Sequence, residues 1–209
     1  MLVSGYFIAF EGIDGVGKTT QLFILYHELR GRGCKVVLTR EPGGTRVGEA
    51  IRRVLLDDAH QEMSPETEAL LYAAARAQFV SQVVRPALAR GEIVLSDRFV
   101  DSYLAYQGFG RGLDLTALER VNALATGGLS PDLTILLDMP AATALARLDV
   151  DRQDRLERQS VDFYERVRRG YRQLAATDPS RYLVLEADRE VEDLAAVILE
   201  RVEVVLGLV

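Results

Sequence analysis

The sequence predicts an α/β architecture, a five-stranded parallel sheet covered by helices on both faces. Three observations predict it. Short apolar runs alternate with helical stretches along all 209 residues, as expected of strands buried on both faces. Between the first such run and the first helix lies Gly12–Thr19, reading Gly-Ile-Asp-Gly-Val-Gly-Lys-Thr. Glu11, Asp97 and Asp138 each end a run, and Arg40 and Glu41 follow another. Charged groups at the carboxyl ends of strands are where open α/β sheets bind ligands.

The first strand is Tyr6–Glu11, and Thr20–Leu29 is the first helix, ended by Gly31 and Gly33. Lys35–Thr39 is the second strand. A long helical region runs from Ser64 to Arg90, with Ser64 as cap, Pro65 at the first helical position and a bend expected near Pro86. Glu92–Asp97 is the third strand. Ser102–Gly108 reads equally well as an ordinary helix with a buried tyrosine and as part of a ligand site. Gly108-Phe109-Gly110-Arg111-Gly112 reads as a flexible loop; no strand precedes it, so it is not a dinucleotide fingerprint. The fourth strand is Leu133–Asp138 and the fifth Tyr182–Glu186. Between them Arg147–Gln159 alternates in charge, as a solvated helix face does, and would also suit a mobile lid spanning about residues 141–160. Val191–Leu206 forms a closing helix. No repeat, low-complexity tract or linker divides the chain, which is expected to form one domain over 1–209.

Composition narrows the function. A content of 48% apolar and 27% charged residues is that of a soluble globular domain, and no run of 18 apolar residues predicts a membrane span. The net charge of −6 argues against broad nucleic-acid binding, so a phosphate ligand needs a local arginine cluster, with Arg40, Arg76 and Arg98 the candidates. The N-terminus lacks the form of a signal peptide, and a lone Cys34 excludes an internal disulfide; both fit a reducing cytoplasm. Two histidines, His27 and His60, leave little for a histidine-rich metal centre or a histidine-dependent nucleophile.

Gly12–Thr19 fits Gly-x-x-x-x-Gly-Lys-Thr, the phosphate-binding loop. Its glycines let backbone N–H groups of Gly12, Ile13, Asp14, Gly15, Val16, Gly17 and Lys18, continuing into Thr19 and Thr20, converge on phosphate at a helix N-terminus. Lys18 reaches the β- and γ-phosphates and the Thr19 hydroxyl can ligate Mg2+. At the end of the third strand, Arg98 offers a planar fork for a phosphate, and Asp97 can hold Mg2+ through water. Tyr72 and Arg76, at i and i+4, share a helix face, where the ring can stack on a planar base and the guanidinium can donate to its carbonyl. Arg40-Glu41-Pro42-Gly43-Gly44-Thr45, taken alone, is a rigid turn.

In this order and at these spacings, Phe10-Glu11-Gly12-Ile13-Asp14-Gly15, Glu41-Pro42-Gly43-Gly44-Thr45, Asp97-Arg98-Phe99 and Ala105-Tyr106-Gln107-Gly108 resemble the thymidylate kinase family, its bacterial members above all, over essentially the whole chain. The resemblance implies the P-loop nucleotide kinase fold and the reaction of ATP and dTMP to ADP and dTDP with Mg2+. It also implies a homodimer, for which apolar faces around Leu70 and Val80 could serve, though both could equally be core. It implies that Asp14 positions the acceptor and its arginine, and that Arg98 grips the acceptor phosphate. It places Tyr72 on thymine, Arg76 on its O4, and Tyr106 where a ribose 2′-hydroxyl would sit. Arg40, Glu41, Pro42, Ser102, Tyr103 and Gln107 complete the substrate site. Asp154-Arg155-Leu156-Glu157 matches the family's element at the lid's end, which makes Arg155, with Arg152, a candidate for phosphoryl stabilisation.

The chain departs from the family in two places. Leu148-Asp149-Val150-Asp151 replaces a basic lid stretch, so Arg147, Arg152 or Arg155 must supply the cation that the loop lacks, and Tyr72 stands where phenylalanine is more usual. The competing readings are a kinase for another nucleotide or a deoxynucleoside, and a nucleotide-binding switch with no acceptor.

Overall fold

In the computed structural model, which describes residues 5–148, 155, 156 and 158–208, five strands form one sheet. They are β1 (Tyr6–Glu11), β2 (Val36–Arg40), β3 (Ile93–Asp97), β4 (Leu133–Asp138) and β5 (Tyr182–Glu186). All neighbours pair in parallel, in the order β2-β3-β1-β4-β5. Each strand matches its sequence-predicted range to within a residue at either end.

The alternation of β1 explains why its run is apolar throughout. Ile8 and Phe10 enter one core and Phe7 and Ala9 the other, all fully buried. The first core packs α1 (Lys18–Gly31), α8 (Val161–Thr177) and α9 (Val191–Leu206) on the sheet through Leu22, Leu25, Tyr164, Tyr171, Leu194 and Ile198. The second is closed by Phe79 at the end of α3 (Pro65–Phe79), with Val80 and Val84 just beyond it. Thr45 caps α2 (Arg46–Leu56), its Oγ1 accepting from Gly48 N at 2.9 Å. Ser64 caps α3 as expected, accepting from Thr67 N at 3.2 Å.

The irregularity expected near Pro86 is present, and two other expectations are corrected. The irregularity in Ser64–Arg90 lies one turn before Pro86, as a π-helical turn at Val80–Val84 leading into α4 (Arg85–Ala89). Proline offers no N–H to the carbonyl four residues back, that of Gln82, and its ring crowds that carbonyl; the wide turn absorbs both. The loop expected from Gly108 begins later. After α5 (Val100–Tyr103) the chain continues as a π-helical turn, Leu104–Gly110, before α6 (Leu115–Thr126). Gly110 is there for contact, not flexibility, because a Cβ on it would lie 2.8 Å from the Phe163 ring of α8. Among the described residues of Arg147–Gln159, Arg147 and Leu148 follow α7 (Ala141–Leu145), and Arg155 and Leu156 are buried rather than solvated.

Candidate active site

The phosphate loop leaves β1 with Gly12, Gly15 and Gly17 at φ of 134°, 83° and 95°, a region other residues rarely adopt. At Gly15 a Cβ would lie 2.0 Å from the Ala144 carbonyl oxygen, so strain and contact both require glycine. Ile13 and Val16 bury their side chains and contribute backbone only. Lys18 is buried, and its Nζ donates to the Ile13 carbonyl at 2.7 Å. Burial and the neighbouring Arg98 cation push its ammonium down to about 8. The Thr19 hydroxyl donates to Asp97 Oδ2 at 3.0 Å, so the two residues expected to serve a metal stand together. With exposed Thr20, these groups line one cavity.

Arg98, at the end of β3, has φ 72°, the one non-glycine residue with positive φ among those described. Its Nη1 donates to the Gly12 carbonyl at 2.9 Å and to Ser102 Oγ and Tyr171 OH at 3.0 Å. Its Nη2 donates to Asp14 Oδ1 at 2.5 Å and to Tyr106 OH at 3.3 Å, and its carbon lies 5.1 Å from the Tyr106 ring centre. Tyr106 in turn donates to Asp14 Oδ2 at 2.9 Å. Burial alone would raise the Asp14 carboxyl; the cations of Arg98 and Lys18 outweigh it and hold the group well below the usual carboxylate range. Asp14, Arg98 and Tyr106 are therefore joined in one hydrogen-bonded cluster.

A second cavity lies beside the first, lined by Tyr72, Arg76, Ser102, Tyr103, Tyr106 and Gln107, with Pro42 at its edge. Arg76 belongs here and not with the phosphates. It is 2% exposed, with Nε 2.7 Å from Glu41 Oε1, Nη1 donating to Asn122 Oδ1 at 2.5 Å and Nη2 to the Phe99 carbonyl at 3.3 Å. Three fixed partners leave further N–H bonds for a ligand carbonyl. Burial raises the Glu41 carboxyl to about 6 against the pull of Arg76. The Tyr103 hydroxyl and the Gln107 amide oxygen are buried with no hydrogen-bond partner among the described residues. Such groups are costly to leave unmatched and suit a base that brings its own donors and acceptors.

Other candidates are placed differently. Arg40 lines the phosphate cavity at its exposed rim, 3.3 Å from Glu49. Arg155, expected at the phosphates, is buried elsewhere: its Nε donates to the Leu55 carbonyl at 2.9 Å and its Nη2 pairs with the buried carboxylate of Glu68. Glu68 also takes Arg111, at 3.1 Å, and these partners hold its carboxyl below its ordinary value despite burial. The residue next to Arg155, Leu156, lines the second cavity. Arg152, Asp154 and Glu157 lie outside the described residues; Arg147 lines the phosphate cavity. Asp138 lines neither cavity, being held by Arg168 at 2.7 and 2.9 Å. Arg52 of α2 is a site residue that the sequence does not mark. It lines both cavities and donates to the Pro42 carbonyl at 3.0 Å; α2 is strongly amphipathic, but that pattern does not set Arg52 apart from Arg46 and Arg53 on the same helix.

The family model for thymidylate kinase matches residues 10–198. A thymidylate kinase of Desulforudis audaxviator is 66% identical over 205 residues, 98% of this chain and 93% of the relative. One of Pelotomaculum thermopropionicum is 54% identical over 189 residues, 90% of this chain and 88% of the relative. The crystal structure of the Ehrlichia chaffeensis thymidylate kinase superposes with a TM-score of 0.77 at 33% identity, covering 96% of this chain and 99% of that one. Two cavities meeting at Arg52 and Arg98, on this sheet and beside this loop, agree with those likenesses, and the chain belongs to the thymidylate kinase family.

Proposed function

We propose that this protein transfers the γ-phosphoryl group of ATP to the phosphate of dTMP, giving ADP and dTDP. The observation that carries the reading is that the two cavities share Asp14, Glu41, Arg52 and Arg98. One cavity has the phosphate loop and the other the aromatic ring and buried polar groups suited to a base. Their common boundary is where a donor and an acceptor phosphate would meet.

Phosphoryl transfer asks mainly for in-line positioning and for cations against spreading negative charge. Lys18 brings charge to the donor side, and Arg98, fixed by five hydrogen bonds, brings it to the acceptor side without needing to reorganise. Tyr72 would stack on the base, with Arg76, Tyr103 and Gln107 reading its edge. Thr19 and Asp97 present hard oxygen atoms of the kind Mg2+ takes, and they would hold it beside Lys18. When bound, the ion supplies positive charge against the phosphate oxygens. Arg147 is the lid cation we assign to the phosphates. A homodimer belongs to the same proposal. Leu70, 58% exposed on α3, supports it, whereas Val80 is core.

Turnover of dTMP, dUMP, UMP, AMP and thymidine with ATP and Mg2+ tests the reading. Fastest turnover of dTMP is expected; faster turnover of AMP or thymidine would overturn it, and nucleotide binding without dTMP-dependent ADP release would favour a switch protein. The Tyr106 ring packs on Arg98 and against Phe163, Tyr164 and Tyr171, so the reading makes it the surface against which a 2′-hydroxyl collides. Tyr106→Ala is expected to narrow the dTMP/UMP preference by about tenfold, within the range that pocket shape supplies, whereas Tyr106→Phe keeps it. An unchanged ratio in the alanine variant would remove that role.

A further inference from the structure

Glu11 closes β1 and is wholly buried, yet phosphoryl transfer gives it no direct task. Its Oε1 accepts from the Phe99 backbone N–H at 2.8 Å. Its Oε2 accepts from Ser102 Oγ at 2.5 Å and from Tyr171 OH at 3.2 Å. Each of these partners bears on Arg98. Phe99 is its neighbour in the chain and helps hold a backbone turned to φ 72°. Ser102 and Tyr171 each accept a hydrogen bond from Arg98 Nη1. A hydroxyl has one proton and two lone pairs. The two hydroxyls also stand 2.7 Å apart, so that one donates to the other; with Tyr171 donating toward Ser102 and Ser102 to the carboxylate, lone pairs of both are left for the guanidinium.

We infer that Glu11 is a positioning residue for the acceptor phosphate, acting through Phe99, Ser102 and Tyr171 to aim Arg98. The inference rests on the reading of Arg98 as the acceptor-phosphate group. It assigns the buried carboxylate a task that a neutral isostere cannot perform, since an amide or a protonated carboxyl must donate a hydrogen into a cluster whose acceptors Arg98 requires.

The surroundings agree. The charged and titratable groups facing Glu11 are Asp101 of α5, Arg98 after β3, Lys18 of α1, Tyr171 of α8 and Tyr182 of β5. Burial, then the Asp101 carboxylate, raises Glu11 to about 7, opposed by Ser102, Arg98 and the Phe99 N–H. Below that pH the protonated group disturbs the cluster, so dTMP affinity falls on acidification. Stability runs the other way. An acid whose folded pKa is raised from 4.5 to about 7 favours the fold while protonated, and that contribution is lost as pH rises through this interval.

The test is steady-state kinetics of Glu11→Gln with ATP, Mg2+ and dTMP across pH 6–9, compared with the parent because the acceptor phosphate itself titrates near pH 6. At pH 8 the KM for dTMP should rise about tenfold while that for ATP stays within about twofold. The rise in dTMP affinity through pH 7 should be lost, and the melting temperature at pH 8 should not fall. An unchanged KM for dTMP, or an equal rise for both substrates, overturns the inference. Tyr171→Phe, which keeps the ring, gives a second reading should the glutamine variant not fold. It should raise the dTMP KM about threefold in the parent and leave it unchanged beside Glu11→Gln, since the two act through one cluster. Additive effects, or no effect of Tyr171→Phe alone, overturn the inference. Crippled dTMP kinetics in Arg98→Ala with silent Glu11→Gln sinks this inference alone, whereas normal kinetics in Arg98→Ala sinks the reading beneath it.

Discussion

Arg98→Ala is expected to lower kcat/KM for dTMP by about a thousandfold, or about 4 kcal/mol of transition-state stabilisation. The guanidinium is one of two at the boundary of the two cavities, with Arg52, and alone binds Asp14, Gly12, Ser102, Tyr106 and Tyr171 together. Its loss removes the charge that would meet both phosphates. It also strips Asp14 of the partner that most offsets its burial, so the loop carboxylate loses its orientation. Alanine at φ 72° inherits the same uncommon backbone, so the fold should change little while the chemistry fails. Steady-state kinetics at saturating ATP, with the melting temperature as a control, decide it. Near-normal turnover would mean that the acceptor phosphate lies elsewhere.

Lys18→Ala should cost about a thousandfold in kcat while leaving dTMP binding nearly intact, because a cation that acts on the transferring group is missed most in the transition state. Lys18 lines the phosphate cavity and not the acceptor cavity, so calorimetric titration with dTMP should give the parent's affinity. The parent enzyme carries a related signature. With its ammonium lowered to about 8 by burial and by Arg98, the empty loop is charged below that pH and neutral above it. Affinity for ATP should therefore weaken as pH climbs past 8, and the variant should lack that dependence. A kcat within tenfold of the parent would show that the lysine is dispensable.

Much of this was legible in the chain. The strands announced themselves as apolar runs because a parallel sheet buried on both faces leaves no room for alternation. The phosphate loop was readable because its chemistry is local: glycines, lysine and threonine at fixed offsets. Arg76 was legible as a partner for a base but not as a buried group, since Glu41 and Asn122 converge on it from elements far apart in sequence. Glu11 is legible as a charge at the end of a strand, but its task is not, for the same reason; its partners Ser102 and Tyr171 lie 91 and 160 residues away. Helix α8 carries a signal of its own, with Phe163, Tyr164, Val167 and Tyr171 buried at helical spacing. Arg155 misled because a motif names a residue type, whereas its direction depends on Glu68, a buried carboxylate that no local pattern couples to it.

The order of the strands has a mechanical consequence. The phosphate loop and Arg98 hang from β1 and β3, which have neighbours on both sides, while Glu41 and Pro42 follow β2 at the margin of the sheet. Local opening of a fold begins where paired backbone is thinnest and need not approach the free energy of global unfolding. On the proposed reading, the margin would be the part to open for a nucleobase, while the seam that must keep charges in register stays shut.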